Sequence, residues 1–208
     1  MSRGKRWTVL IGAGLVLVGV WGAWVPHRAA ALVLSGWDLA EFLKFLPGPT
    51  VTRELFYFPV WCVGIVLAVI VIQPTTQPVV RVGLLLIGLA LMLTILPPYP
   101  HVFNGYQSAE FRWRFVLGAT GVLLVIGLPL AARLWESNGF PLDQVSGGLL
   151  LLLALIGALP AVWQFLKVRA AIEAVYGARL GWGWGLGLVL LGWVLVGATG
   201  GRQVMQDR

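Results

Sequence analysis

Six stretches of this chain contain no Lys, Arg, Asp, Glu or His: Trp7–Val25, Tyr57–Gln73, Val82–Leu96, Phe115–Ala132, Gly147–Leu166 and Trp182–Thr199. A helix that crosses a bilayer needs about 20 predominantly apolar residues at about 1.5 Å each. Hydrocarbon offers no partner for backbone N–H and C=O groups, so segments of this length are satisfied as helices. The chain therefore reads as an all-α, polytopic membrane bundle of six transmembrane helices, residues 1–208 forming one integral membrane domain. Composition agrees: 59% of the 208 residues are hydrophobic and 11% charged, against about 25% charged in soluble domains. That excludes a water-soluble globule and a disordered chain. The single cysteine, Cys62, excludes a disulfide scaffold. Gln73-Pro74-Thr75-Thr76-Gln77-Pro78 makes a tight hairpin of the second and third spans. The first apolar run is longer than a signal-peptide core of about 7–15 residues, so it is read as a retained span.

The formal charge is +7. The basic residues sit between the apolar runs, which suits the lipid bilayer and its anionic headgroups and not nucleic acid. Arg3, Lys5 and Arg6 favour a cytoplasmic N-terminus. An even number of spans returns the C-terminus to the same side, so the expectation is a multi-pass protein of the cell membrane with both termini cytoplasmic. Trp21, Trp24, Trp61, Trp113, Trp163, Trp182 and Trp184 fall near outer ends of spans, and Trp7 and Trp135 near inner ends. Indole rings pair an apolar body with one donor and favour the headgroup level.

The longest connection, between the first two spans, is not polar. Ser35 is placed to cap a helix with Asp38 reaching back, and Pro47-Gly48-Pro49 to end it, giving an outer interfacial amphipathic helix over about residues 35–46. Asp38, Glu41 and Lys44 form its polar stripe. Trp37, Leu39, Ala40, Phe42, Leu43 and Leu46 form the rest. Such a helix is a lid on the bundle, a docking surface for a partner subunit, or a substrate gate. Lys167–Leu180 reads as a second helical connection in which the fifth helix continues, with Arg169 and Glu173 as an i, i+4 pair.

Gly177, Gly181 and Gly185 are spaced by four, as are Gly183 and Gly187. In a continuous helix these make two small-residue ridges, a face for close packing within the bundle or against a partner. A pigment, quinone or lipid is the other occupant such a face admits. Gly12, Gly14 and Gly19 roughen the first span, and Gly197 and Gly201 the far end of the last. Resemblances between Gly83-Leu84-Leu85-Leu86 and Gly148-Leu149-Leu150-Leu151, and between Leu96-Pro97 and Leu159-Pro160, suggest a parallel repeat of one hairpin. Pro160 is expected to bend the fifth helix.

Ion-coupled transport places ionisable groups at mid-membrane, and the six cores hold none. Haem between spans needs axial histidines, whereas His27 and His101 lie at span ends. No metal motif, phosphate-binding loop or hydrolase elbow occurs, so no catalytic or metal residue and no cofactor is assigned. Glu54, His101, Glu110, Arg112 and Arg114 form an outer polar rim with Asp38 and Glu41. Arg112-Trp113-Arg114 reads as a phosphate-contacting anchor. The expected function is a non-catalytic integral membrane subunit, scaffold or accessory, of a larger assembly with other membrane protein subunits. The first alternative is a small-molecule capture subunit of a transporter. In size and span number the chain resembles the vitamin-binding subunits of modular uptake transporters, a resemblance of architecture only. The second alternative is a membrane enzyme acting on a lipid headgroup at the outer face.

Overall fold

The computed structural model describes residues 1–27, 33–45, 52–137 and 142–206. It is 80% helical with eight helices. Ser2 caps α1 (Arg3–Trp21), its hydroxyl accepting from the Lys5 N–H. A short antiparallel pair, β1 (Ala23–Val25) and β2 (Leu34–Ser35), turns the chain back across the end of the bundle. The cap end, as this end is called below, then carries α2 (Gly36–Phe42), which continues as a 3-10 turn through Phe45. The capping box is present: Ser35 Oγ accepts from the Asp38 N–H at 3.0 Å, and Asp38 accepts from the Ser35 N–H at 3.1 Å. Leu46 and the stop at Pro47-Gly48-Pro49 lie outside the described residues.

A 3-10 turn, Arg53–Tyr57, leads into α3 (Phe58–Val71), with Pro59 in its first turn. Then follow α4 (Pro78–Ile95), the single turn α5 (His101–Asn104), α6 (Arg112–Ser137), α7 (Leu142–Tyr176) and α8 (Trp184–Gln206). Six helical segments have the length and composition to cross a membrane: α1, α3 with its leading turn, α4, α6, α7 and α8. Helix α4 begins four residues before the apolar run, at Pro78, because proline suits a first turn where no N–H is needed. Helix α7 passes through Pro160 and, as expected, beyond its apolar run through Lys167 and Arg169.

Helix α3 is the axis of the bundle. Of its span 78% is buried, and it is Val, Ile and Leu on every side because every side is covered. Helices α1 and α7 pack along one flank of it, with α8 seated outside against both, and α4 with α6 along the other. Helices α3 and α4 form a true hairpin, but α6 and α7 barely touch, so the tertiary packing does not repeat the hairpin that the sequence resemblances suggested.

Glycine sets the helix spacing on the first flank, but not in the predicted register. Helix α8 starts at Trp184, so Gly177, Gly181 and Gly183 are not part of it. Gly177 closes α7 at a φ of +62°, the left-handed conformation that glycine adopts freely. Gly183 lies extended beside β1: its N–H donates to the Trp24 carbonyl at 3.1 Å, and a Cβ would fall 2.0 Å from the Ala23 oxygen. Gly181 meets little more than Pro26, and Gly187 faces open space. Only Gly185 belongs to a ridge, and Gly192 continues it. Their partners are Gly19 and Gly12 on α1, close enough that a Cβ on Gly192 would lie 2.5 Å from the Gly12 oxygen. On the α7 side, Gly200 meets the Gly147 backbone and Gly157 makes room for the Trp193 ring.

An exposed placement is found for Trp7, Trp21, Trp113, Trp163, Trp182 and Trp184, each about half exposed. Trp24 departs from it. It is buried among Phe56 and Phe165, and its indole N–H donates to the Gly19 carbonyl at 2.9 Å. Its neighbour Gly36 has no room for a Cβ against the ring.

Candidate functional site

Four segments bring the outer rim together at the cap end. Helix α2 contributes Glu41 and Lys44 beyond it. The turn before α3 contributes Arg53, Glu54 and Tyr57. Glu110 and Phe111 precede α6, and Arg114 sits in its first turn. Glu41 is the hub: it accepts from Arg114 Nη1 at 2.9 Å and from the Tyr57 hydroxyl at 2.9 Å, and it pairs with Lys44. Lys44 also reaches Glu110 at 3.3 Å. Arg53 joins Glu110, at 3.5 Å, to Glu54, at 3.3 Å, and donates to the Glu110 carbonyl. Arg114 then ties in α4, whose last turn has free carbonyls, by donating to Ile95 at 2.7 Å and Thr94 at 3.4 Å.

The aromatic rings stiffen this collar. The Arg114 guanidinium lies 4.9 Å from the Tyr57 ring centre. Lys44 and Arg53 lie 5.7 and 5.8 Å from that of Phe111, which also stacks on His101 at 4.7 Å. Three carboxylates, Glu41, Glu54 and Glu110, thus face three cations, Lys44, Arg53 and Arg114. Arg53 and Arg114 keep only 12% of their side-chain surface exposed. Burial pushes the Glu41 carboxyl up, but hydrogen bonds from Lys44 and Tyr57 and the charges of Lys44 and Arg114 outweigh it. The net result is a carboxyl held below the usual carboxylate range.

The structure sorts the predicted site residues. Glu41, Lys44, Glu54, Glu110 and Arg114 assemble. Asp38 is spent on capping α2. Trp37 stacks with Trp21 and meets Tyr57 edge-on, and Phe42 lies against Tyr176. Arg112 donates to the Tyr106 carbonyl at 3.2 Å, away from the others, so the Arg112-Trp113-Arg114 anchor divides: Trp113 faces outward and Arg114 inward. His101 joins only through its ring. Sequence reasoning missed Tyr57, Arg53 and Phe111 as members. Tyr57 was hidden at the edge of an apolar run, and nothing local announces a partner 16 or 57 residues away.

Beside the collar an apolar cavity of about 340 Å³ is lined by Leu55, Phe58, Trp113 and Leu117, with Thr52 and Glu54 among the lining groups. Among the described residues no group of three His, Cys, Asp or Glu is placed to hold a metal ion. The collar's groups neutralise one another, and their geometry fastens α2, α3, α4 and α6 at one end of the bundle.

A second, smaller set of ties lies at the opposite end. The Met1 ammonium donates to Gln73 Oε1 at 3.1 Å, and Arg6 donates to the Thr75 carbonyl at 3.1 Å. Arg81 Nη2 donates to the Gln73 and Pro74 carbonyls at 3.1 Å each. The α3–α4 turn and the N-terminus are held together there.

No family model, curated protein or solved structure matches the chain.

Proposed function

We propose that the chain is a six-span protein of the cell membrane, both termini cytoplasmic, and a non-catalytic subunit of a larger membrane assembly. Support for insertion comes from α1. Trp7, Ile11, Val18 and Trp21 are all about half exposed on one face. The two indoles stand 14 residues apart, about 21 Å of helix, toward the two ends of the apolar segment, where indoles favour the interface.

The observation that carries the subunit reading is the state of α6. It is seated mainly by α3 and α4, and only 22% of its span is buried. Gly127, in its middle, faces open space where a Cβ would stand. A helix-interior glycine costs about 1 kcal/mol against alanine in water, and close backbone contact is what offsets such a cost between membrane helices. Gly12, Gly19, Gly185, Gly192 and Gly200 have that contact inside the bundle; Gly127, like Gly14, Gly148 and Gly187 on other helices, has none among the described residues, and it lies on the least buried span. A neighbouring subunit on the α6 face supplies it. The test is gentle solubilisation followed by mass spectrometry of co-purifying proteins, for the wild type and Gly127→Leu. The expected result is a partner that the variant loses while keeping its own melting temperature. Purification of the wild type alone, with Gly127→Leu behaving identically, contradicts the reading.

The capture reading keeps one supporting observation, the convergence of Glu41, Tyr57 and Arg114 beside α2. A small molecule co-purifying with the wild type and lost in Arg114→Met would favour it.

A further inference from the structure

Two adjacent cavities lie between α4 and α6, the first also against the end of α3, and form an amphipathic site at the end of the bundle that carries the termini. The upper, of about 450 Å³, is lined by Arg81 and Arg133 with Leu85 and Pro129. The lower, of about 190 Å³, shares Leu85, Pro129 and Arg133 and runs on between Leu89 and Ile126. No carboxylate lines either cavity. This is the reverse of the cap end, where every cation of the collar meets an acid.

The two arginines are also unspent. Arg81 is positioned by its bonds to the Gln73 and Pro74 carbonyls, yet its Nε is buried with no hydrogen-bond partner. Arg133 is exposed and pairs with no carboxylate among the described residues. Two guanidiniums at the mouth offer planar, multidentate donors that match a phosphate. The groove below is apolar and lies along the helices, the direction in which an acyl chain runs.

We infer that this site holds an anionic phospholipid, its phosphate between Arg81 and Arg133 and one acyl chain in the α4–α6 groove. Charge complementarity selects the anion, and the groove selects a lipid over a free ion. The assignment rests on the insertion reading above, and the experiment separates the two.

The protein is purified in detergent and offered dioleoyl phosphatidylglycerol, dioleoyl phosphatidylcholine or inorganic phosphate. Lipid retention is read by native mass spectrometry, and flotation with vesicles of the same lipids scores insertion. Phosphatidylglycerol is expected to be retained over phosphatidylcholine. Arg133→Gln, which disturbs no bond in the structure, is expected to weaken that retention about fivefold, the effect of one cation beside an anionic headgroup. Ile126→Trp, which fills the groove, is expected to weaken it as well. Arg202→Gln removes the same charge from the same end and should retain the lipid as the wild type does. Equal retention of both lipids, or wild-type retention by Arg133→Gln, overturns the site while flotation leaves insertion standing. Inorganic phosphate displacing phosphatidylglycerol, with Ile126→Trp behaving as wild type, shows a bare anion site and overturns the lipid assignment. Failure to float overturns insertion and the site together.

Discussion

What a glycine contributes here depends on what lies where its Cβ would be. At Gly192 that point is 2.5 Å from the Gly12 carbonyl oxygen, a backbone atom that moves only if the two helices part. Gly192→Ala is therefore expected to destabilise the chain by about 1–3 kcal/mol, the usual cost of overpacking. Gly187, five residues earlier on the same helix, faces open space. Gly187→Ala should melt at or above the wild-type temperature, since alanine is the better helix former. Thermal melts of both variants in one detergent check the pair, and a Gly192→Ala melt equal to wild type would show that the close approach of α1 and α8 is wrong. Gly185→Leu belongs with Gly192: its target is the Gly19 and Gly22 backbone, so the isolated chain itself should lose stability.

At the scale of the element, α2 is the case to explain. Seven residues are too few for a helix to stand alone in water. Its capping box satisfies the first turn, Leu39 and Ala40 are fully buried beneath it, and the collar ties its far end to Arg114 and Tyr57. The Glu41 carboxyl is held below its ordinary value near 4.5. The stability it contributes is therefore fully present above that value and is lost as pH falls through the depressed one. Protection factors of the α2 amides, which correct for the intrinsic exchange rate, should fall on acidification below about pH 4.5 in the wild type, and Glu41→Gln should be less protected already at neutral pH with a flatter acid response. Arg114→Met is expected to loosen two elements at once, α2 through Glu41 and the last turn of α4 through the Ile95 carbonyl. Exchange that rises in α2 alone would show that the tie to α4 contributes nothing.

At the scale of the whole molecule, the bundle is asymmetric between its two flanks and its two ends. Helices α1, α8 and α7 are locked by backbone contact at several glycines, whereas α4 meets α3 at the single pair Gly64 and Gly88, α6 sets Gly118 and Gly121 against the side chains of Leu96, Met92 and Trp61, and both leave much of their surface outward. The cap end balances its charges, and the opposite end leaves Arg81 and Arg133 unbalanced. The orientation proposed above places this positively charged end toward the cytoplasm, in keeping with the usual bias of Lys and Arg to that side. Phe45 and Met205 are exposed on opposite ends, at 80% and 69%, while Cys62 is buried. An impermeant thiol reagent on intact cells should thus label Phe45→Cys and spare Met205→Cys. The opposite pattern inverts the orientation and moves the arginine pair to the outside.

The six long apolar helices, the capping box of α2, the extension of α7 past Lys167 and the membership of Glu41, Glu54, Glu110 and Arg114 in one rim were all legible in the sequence. These rest on local rules: apolar length, cap spacing, and the cost that keeps charges out of apolar runs. Tertiary structure alone decided that α3 is the axis, that Trp24 is core and not rim, and that Gly192 and Gly200 carry the helix-to-helix packing that Gly177, Gly181 and Gly183 do not, Gly183 instead packing on β1. It also decided that Tyr57 and Arg53 join Glu41 and Glu110. The reason is the same in each instance. An apolar helix shows no polar face, so periodicity cannot say which side meets a neighbour. A glycine run names a ridge only once the helix start sets its register, and here that start, at Trp184, falls after the connector has threaded past Trp24 and fixed where α8 begins.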